Sequence, residues 1–503
     1  MRRLILCAVI QMSLAGACSP SQPSGDGAAG DGSDVVADGE VPAGPIPTIE
    51  GFTPLEDHNP DPRVVEVDLE ARSSEVELRP GVMTRVWAYE GRVPGPLIQA
   101  RVGDRVIVHF KNSLLAPTIV HWHGLRITDQ MDGSPRLMHP FLPGTTFRYE
   151  FVVPDPGTYW YHAHSDSTQQ IERGLYAPLV VHERNPPRFD RERLFVLDDV
   201  RLGSDGQIGA FNTSGPDIGR GRTGNVLLVN GSSRAVAGST QRGALERWRI
   251  INAANARTMY VRVRGGSALV IGTDGGLIPT PYEFHELEVA AGQRYDLAVR
   301  ADAAGDDDGG APVLELVNNV PVFRADGTVD EQLFSLAQLR YEGAVVSRIE
   351  YTAPRVTLPS IEPASATERT LLLSGANTDA GVQFTINGRT GVGHHGPPAD
   401  GGMYEPDERF VQGQPVRITV SANVSPEHPF HLHGQFFQVV ERDGFPVVDE
   451  PGLKDVVLVR GRGTVTVLTY FENPGRWMYH CHISEHGDLG MMGEWEVLPA
   501  MMR

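Results

Sequence analysis

From Arg63 to its end the chain repeats one pattern, in which short runs of β-branched and aromatic residues stop at Gly, Pro, Asn or Asp. The run Val106 to Phe110, which ends at Lys111-Asn112, is one example. Breaks about every eight to twelve residues are typical of antiparallel β-sandwiches and leave no room for long amphipathic helices. The chain's 56 glycines and 38 prolines provide the turns. The pattern therefore predicts an all-β fold built from consecutive β-sandwiches.

The length of 503 residues is too great for a single hydrophobic core and predicts several domains. Two proline-rich joints divide the β-rich part, at Asn185-Pro186-Pro187 and between Pro354 and Pro363. The expected divisions are an export signal over 1–18, a flexible Gly/Ser/Pro/Asp-rich linker over 19–49, and three sandwiches over 50–185, 190–355 and 365–503.

The N-terminus predicts export. Arg2-Arg3 precedes the apolar run Leu4 to Ile10, which is too short to cross a membrane, and small residues follow. The stretch Leu14 to Cys18 resembles a bacterial lipoprotein processing site. We therefore expect a periplasmic protein or one held on the bacterial outer membrane by a lipid anchor at Cys18. Plain secretion with cleavage near Ala17 and twin-arginine export remain alternatives.

Net charge and cysteine content indicate which kinds of partner the chain can bind. A net charge of -19 argues against nucleic acid as a partner. The chain has three cysteines, Cys7, Cys18 and Cys481. If Cys7 leaves with the signal and Cys18 carries lipid, Cys481 has no cysteine partner for a disulfide. Its thiol is then free to bind a metal.

Four His-x-His pairs lie in strand-like sequence, two in each terminal domain. Alternate residues of a strand point to the same face, so each pair would present two imidazoles together. Imidazole suits copper, and eight such rings could hold a cluster of three copper ions. One pair would be weak evidence, but four are hard to assign to chance. The pairs are His121/His123, His162/His164, His431/His433 and His480/His482.

Cys481 lies between His480 and His482, so its side chain should point to the opposite face of the strand. A cysteine thiolate, two histidines and a weak methionine are the ligands of a blue-copper electron-transfer site. His428, His486 and Met491 are the remaining candidates for that set, with Met492 as an alternative to Met491. One residue of backbone would therefore link two metal sites.

These motifs resemble those of a known family. The stretches 121–124, 160–164, 428–434 and 480–482, the last with His486 and Met491, resemble the four copper motifs of the multicopper oxidases. Residues 93–96 with Gly103-Asp104, and residues 273–276, resemble that family's first and second cupredoxin domains. The resemblance covers nearly the whole mature chain. It implies three consecutive cupredoxin-like Greek-key β-sandwich domains, organised as in three-domain bacterial laccases and cuprous oxidases.

The resemblance also implies four copper ions per chain: one type 1, one type 2 and a type 3 pair. Cys481 would pass electrons through His480 and His482 to the cluster, where dioxygen would be reduced to water. The implied ligands are His428, Cys481, His486 and Met491 for type 1, His121 and His431 for type 2, and His123, His162, His164, His433, His480 and His482 for type 3.

Proton supply points to two carboxyl groups. Asp132 resembles the family's acidic residue beside the cluster, although an Asp-Gly turn with Gly133 would use the same residues. Members of the family often carry an acid directly after the position of His486. This chain has Gly487 there, and Asp488 follows. Asp132 and Asp488 are therefore the candidate proton-handling residues.

The resemblance implies oxidation of a small reducing substrate. Most of the 12 methionines are scattered, whereas cuprous oxidases often carry a methionine-rich insertion. This favours a laccase-like enzyme acting on phenols or aromatic amines. Oxidation of Cu(I) or another metal ion is the alternative, and a non-catalytic copper-binding scaffold is a remote one. A monomer is the expected assembly.

Overall fold

The computed structural model describes residues 46–500, except 212–214, 303–312, 324–328, 360–364, 379–380, 392–404 and 425–426. The export signal, Cys18 and nearly all of the linker lie outside the described residues. Among those that are described, 31 strands and three short α-helices occur, so the all-β prediction is confirmed. None of the described helices is long and apolar enough to cross a membrane.

The first part of the chain forms two four-stranded sheets, ordered β3-β2-β5-β7 and β4-β9-β8-β6. The chain passes repeatedly from one sheet to the other, as in Greek-key sandwiches. Helix α1 (Ser167–Glu172) and a 3-10 turn (Asp129–Met131) lie in the connections. The strands are β1 (Ile49–Glu50), β2 (Val64–Arg79), β3 (Val82–Tyr89), β4 (Ile98–Arg101), β5 (Arg105–Asn112), β6 (Val120–His123), β7 (Thr146–Val152), β8 (Gly157–Ala163) and β9 (Tyr176–His182).

The middle part forms a seven-stranded sheet, in which β1-β10-β13-β18-β15-β16 are neighbours and β11 pairs with β10, and a five-stranded sheet ordered β12-β20-β19-β14-β17. Strand β1 pairs in parallel with β10, so it joins the middle sheet. Helix α2 (Pro216–Arg220) precedes β11. The new strands are β10 (Arg191–Val200), β11 (Val226–Val229), β12 (Val236–Thr240), β13 (Leu245–Asn252), β14 (Met259–Arg264), β15 (Ser267–Thr273), β16 (Gly276–Glu283), β17 (Leu287–Val289), β18 (Arg294–Arg300), β19 (Val313–Phe323) and β20 (Val329–Tyr341).

The last part forms a six-stranded sheet, β22-β21-β24-β29-β26-β27, and a five-stranded sheet, β23-β31-β30-β25-β28. Helix α3 (Ser484–Asp488) follows β30. The strands are β21 (Thr367–Thr378), β22 (Gly381–Ile386), β23 (Glu408–Val411), β24 (Val416–Ala422), β25 (His428–Leu432), β26 (Gln438–Arg442), β27 (Phe445–Pro446), β28 (Val456–Val459), β29 (Thr464–Thr469), β30 (Gly475–Cys481) and β31 (Met492–Leu498).

The burial pattern of a strand shows whether one or both of its faces are covered by other parts of the molecule. Strand β24 alternates between buried and half-buried residues, the pattern of a strand with one covered face. Every residue of β13 and β18 is buried, although these strands carry Arg247, Arg249 and Arg294. Buried guanidinium groups require charged partners. Arg247 accordingly pairs with Glu183 of the first part and with Asp296.

Two equivalent strand pairs position the histidine motifs. In the first part, β6 pairs antiparallel with β8 and places His121 opposite His162. In the last part, β25 pairs antiparallel with β30 and places His431 opposite His480. The histidine pairs of the two terminal sandwiches therefore occupy corresponding places.

Candidate metal centres

All eight histidines of the four pairs are buried and converge where the two terminal sandwiches meet. Ring nitrogens within 4.8 Å of one another define two triads, each with rings from both sandwiches. A further group joins His121 and His431 through His123. The triads are His123, His162 and His482, and His164, His433 and His480.

Hydrogen bonds decide which nitrogen of the His121 and His431 rings faces the others. The Nδ1 atom of His121 donates to the backbone oxygen of Asp132 (2.8 Å), and that of His431 donates to the backbone oxygen of Asp455 (2.9 Å). A carbonyl oxygen only accepts, so each Nδ1 carries the hydrogen and each Nε2 keeps a bare lone pair. Neither Nε2 has a hydrogen-bond partner among the described residues.

The same arrangement holds His162 and His480. Their Nδ1 atoms donate to the backbone oxygens of Ala163 (3.0 Å) and Cys481 (2.9 Å). Hydrogen bonds of this kind fix the tautomer and the direction of metal-binding imidazoles.

Bare nitrogen lone pairs face one another across the cluster. The Nε2 atoms of His433 and His480 are 3.1 Å apart. Both rings donate from Nδ1. His480 donates to the Cys481 carbonyl oxygen, and His433 donates to the Oδ2 atom of Asp132 (2.8 Å). Two nitrogens without hydrogen cannot bond to each other, so their approach at this distance fits a bound cation.

His123 is turned the other way. Its Nε2 faces the Oδ1 atom of Asp455 at 3.2 Å, and its Nδ1 lies 3.4 Å from the Nε2 of His162. This ring therefore presents Nδ1 to the cluster, unlike the rings whose Nδ1 is held by a carbonyl.

Burial keeps these rings neutral, the form that binds metals. It lowers the pKa of His480 to about 4, and mutual repulsion among the rings adds to the effect on the pKa of His431 and His433. Orphaned nitrogens such as both of those in His482 would be costly without a metal. Copper, which imidazole suits, fits this donor set. Burial lowers the pKa far below the ordinary value in His123, His162, His164, His431, His433 and His482.

A second centre surrounds Cys481. Its Sγ atom lies 3.6 Å from the Nδ1 atoms of both His428 and His486, which are 3.2 Å apart. Burial lowers the pKa of His428 to about 4 and that of His486 to about 3, and it raises the pKa of the thiol far above its ordinary value. A metal must therefore displace the thiol proton on binding. A buried sulfur between two imidazoles is the core of a blue-copper site.

Met491 and Met492 differ in their backbone contacts. Met491 is fully buried, donates its N–H to the oxygen of His486 (2.8 Å) and accepts the N–H of Cys481 (3.0 Å). These bonds tie its backbone to two of the candidate ligands. Met492 instead packs its side chain closely against Gly391.

The two predicted acids both lie at the cluster. Asp132 accepts from His121 and His433, and its Oδ1 has no hydrogen-bond partner among the described residues. Asp488 lines a cavity of about 20 Å³, room for one water molecule, beside four of the histidines. Its carboxylate also accepts the N–H groups of Ser167 and Thr168 at the start of α1 (3.2 and 2.8 Å).

Sequence reasoning missed Asp455. This side chain is fully buried, and both its oxygens pair with Arg294 at 2.6 Å. Burial raises its pKa to about 6, although the guanidinium opposes that rise. The sequence feature that could have indicated this residue is an acidic side chain directly before the apolar run Val456 to Val459.

Comparison with known proteins gives consistent matches along the chain. Three sequence profiles, each described as multicopper oxidase, match residues 70–186, 209–308 and 376–501. Multicopper oxidase MmcO of Mycobacterium tuberculosis is 30% identical over 465 residues, which cover 85% of this chain and 86% of the relative. Laccase-1 of Cryptococcus neoformans is 27% identical, and the match covers 81% and 76%.

A solved structure matches over a similar length. The multicopper oxidase of Campylobacter jejuni, described as a metallo-oxidase, has a TM-score of 0.74 and 26% identity, and the match covers 91% of this chain and 96% of that one. Its fold agrees with the three pairs of sheets found here. With these matches and the geometry of the histidine and cysteine sites, the chain belongs to the multicopper oxidase family and is a copper-dependent oxidoreductase that uses dioxygen.

Proposed function

We propose that this protein is a laccase-like oxidase that takes single electrons from phenols or aromatic amines and reduces dioxygen to water. The observation that carries the proposal is the position of Cys481. It belongs to the two-histidine sulfur centre, while its neighbours His480 and His482 belong to the two histidine triads. An electron port and an oxygen-reducing cluster would thus be adjacent along one strand.

The proposed ligand sets follow the ligand-atom groups. We assign His428, Cys481, His486 and Met491 to a type 1 copper, and His121 and His431 to a type 2 copper. The two triads would each hold one ion of the type 3 pair. The chain would therefore carry four copper ions.

Besides handling protons, the chain's own residues have two tasks: they form the electron path and they orient the ligand rings. Bound copper would supply one-electron redox chemistry and charge storage. Cys481 and His480 form a continuous bonded path, because His480 also donates from Nδ1 to the Cys481 carbonyl oxygen. The carbonyls and carboxylates around the cluster hold each ring in one orientation, which preorganises the site.

Asp132 and Asp488 are the proposed proton-handling groups. Asp132 touches two cluster histidines and has one oxygen without a hydrogen bond among the described residues. Asp488 borders the cavity beside His162 and His480. Positioned carboxyl groups within reach of the reacting oxygen are suited to general acid catalysis.

The substrate class is supported by composition and by relatives. The scattered methionines favour organic reductants over Cu(I). Laccase-1 of Cryptococcus neoformans supports the same choice. Oxidation of Cu(I) or another metal ion is the second candidate, favoured by the Campylobacter jejuni structure described as a metallo-oxidase.

Oxygen uptake by the purified, copper-loaded protein tests the proposal. We expect a strong blue absorption band and faster uptake with a methoxyphenol than with Cu(I). The control is Cys481→Ser, which replaces the soft thiolate with a hydroxyl group and should abolish both the blue band and turnover. Turnover with Cu(I) alone would establish the metal-ion oxidase, and a blue protein without turnover on either donor would establish a copper-binding scaffold.

We also propose three cupredoxin domains over 50–185, 190–355 and 365–503, following the signal over 1–18 and the linker over 19–49. The mature protein would be exported and anchored through lipid at Cys18. The mass of its N-terminal peptide tests this, since acylation of Cys18 adds fatty acid and plain secretion does not.

A further inference from the structure

The middle sandwich supplies none of the proposed copper ligands, yet its loop over 290–293, between β17 and β18, contacts the cluster. A Cβ atom at Gly292 would lie 2.9 Å from the Cδ2 atom of His482, and the residue has a φ of +89°. Glycine is required here for both reasons, conformation and space. The middle sandwich therefore touches a cluster histidine directly through its backbone.

Arg294, the first residue of β18 directly after this loop, contacts all three sandwiches. It is fully buried, and each of its five N–H donors has an acceptor. Nε donates to the Thr158 oxygen at 3.0 Å, and the terminal nitrogens donate to the backbone oxygens of Gly292 (3.1 Å) and Asp274 (3.0 Å). The other two bonds form a fork onto the carboxylate of Asp455 at 2.6 Å each. Such a bidentate pair fixes direction as well as charge.

Asp274 holds the backbone of both Arg294 and Asp455 in place. It belongs to the motif over 273–276, and its Oδ1 accepts the backbone N–H of Arg294 at 2.7 Å. Its Oδ2 lies 3.3 and 3.2 Å from the backbone nitrogens of Asp455 and Val456, which donate to it. The middle sandwich thus holds both the side chain and the backbone of Asp455.

Asp455 in turn contacts two cluster rings. Its carbonyl oxygen accepts from His431, and its Oδ1 lies 3.2 Å from the Nε2 of His123. The ion pair of Arg294 and Asp455 also leaves no room for a side chain at Gly124, next to His123. A Cβ atom there would lie 2.3 Å from Arg294 and 2.7 Å from Asp455.

Asp132 provides an internal comparison. It makes the same two kinds of contact on the other side of the cluster, with His121 and His433. None of the hydrogen bonds to its side chain among the described residues comes from an arginine, and its Oδ1 has no partner there. Among the described residues, the bidentate pair with an arginine is therefore found on the Asp455 side and not on the Asp132 side.

We propose that Arg294 and Asp274 are positioning residues of the middle sandwich, which orient His431 and His123 through Asp455 and so set the copper affinity of the three-copper cluster. The inference rests on the proposed function. It assigns to the ligand-free domain a role in assembling the cluster, separate from the sulfur centre at Cys481.

Copper titration of the full chain tests the proposal, with Arg294→Gln and Arg294→Lys as the variants. Loss of an outer partner of metal ligands costs about 10- to 100-fold in metal affinity. We expect a loss of that size at the type 2 and type 3 sites, read from copper content and the paramagnetic resonance signal of type 2 copper. The blue band of the type 1 site should remain. Lysine should not rescue the cluster, because it keeps the charge without the fork.

Arg193→Gln is the matched control. Arg193 is also buried in the middle sandwich and pairs with Glu246 at 2.7 Å, and its described contacts are with Glu50, Ser239 and Glu246. It should lower thermal stability without selective loss of cluster copper. If Arg294→Gln does not fold, Arg294→Lys and Asp274→Asn give the same measurement.

The outcomes separate the two proposals. Full cluster copper in the folded Arg294 and Asp274 variants would overturn the positioning role, and so would equal loss of type 1 and cluster copper. A wild-type protein without a blue band would instead overturn the proposed function, and the positioning role with it.

Discussion

At the scale of single residues, the identity of a side chain is less informative than the atom it presents. His121 and His123 are two residues apart and both lie in the cluster, but His121 presents Nε2 and His123 presents Nδ1. The difference arises because a carbonyl holds Nδ1 of one ring and the Asp455 carboxylate faces Nε2 of the other. Hydrogen-bond partners therefore decide how each imidazole can bind copper.

Substitution of Met491 by leucine tests the proposed axial ligand. Removal of a weak thioether ligand is expected to leave the protein blue and to raise the reduction potential of the type 1 copper. Met492→Leu is the matched control, since both residues are buried and adjacent. Redox titration of the blue band measures the effect. A shift in Met492→Leu but not in Met491→Leu would exchange the two assignments.

At the scale of elements, paired strands and the loops that pack against them position the cluster histidines. The loop over 128–135 lies so close to β6 that a Cβ at Gly133 would be 1.9 Å from the Val120 carbonyl oxygen. This approach lets the Asp132 carbonyl accept from His121. Strand β6, which carries a histidine pair, and this glycine-dependent loop therefore act as one unit.

Gly133→Ala should disturb that unit more than Gly144→Ala does. Both glycines have a φ of +80°, but a Cβ at Gly144 meets nothing within 4 Å. The backbone strain common to both costs about 1–2 kcal/mol, and the clash at Gly133 adds to it. We expect a larger loss of unfolding free energy and weaker cluster copper binding for Gly133→Ala. Urea unfolding and copper content measure these, and equal effects of the two variants would contradict the argument.

At the scale of the whole molecule, buried ion pairs connect the sandwiches. Arg247 of β13 donates to both oxygens of Glu183 (2.9 and 3.1 Å) and also to Asp296. Burial alone would raise the pKa of Glu183, but the attraction of Arg247 outweighs it and lowers that pKa from its ordinary 4.5 to about 2. A carboxyl with a lowered pKa stabilises the fold above pH 4.5, and that contribution is lost as the pH falls towards 2.

Glu183→Gln should therefore reduce stability in a pH-dependent way. The shift corresponds to about 3 kcal/mol near neutral pH, and the gap to wild type should narrow below pH 4.5. Urea unfolding of the copper-free protein over a pH series measures it. Glu150→Gln, at a partly exposed pair with Arg105, should cost less than about 1 kcal/mol. A gap for Glu183→Gln that is independent of pH would contradict the assignment.

The sequence alone determined the all-β class, the family and the candidate copper ligands, because these depend on local spacing. Turn residues between short apolar runs specify sandwiches, and a two-residue spacing places paired histidines on one face of a strand. The tertiary structure alone decided how the histidines divide into two triads and which nitrogen each presents. It also revealed the bidentate ion pair between Arg294 and Asp455, which are 161 residues apart. Local periodicity carries no information about contacts at such separations, since these form only when the sandwiches pack together.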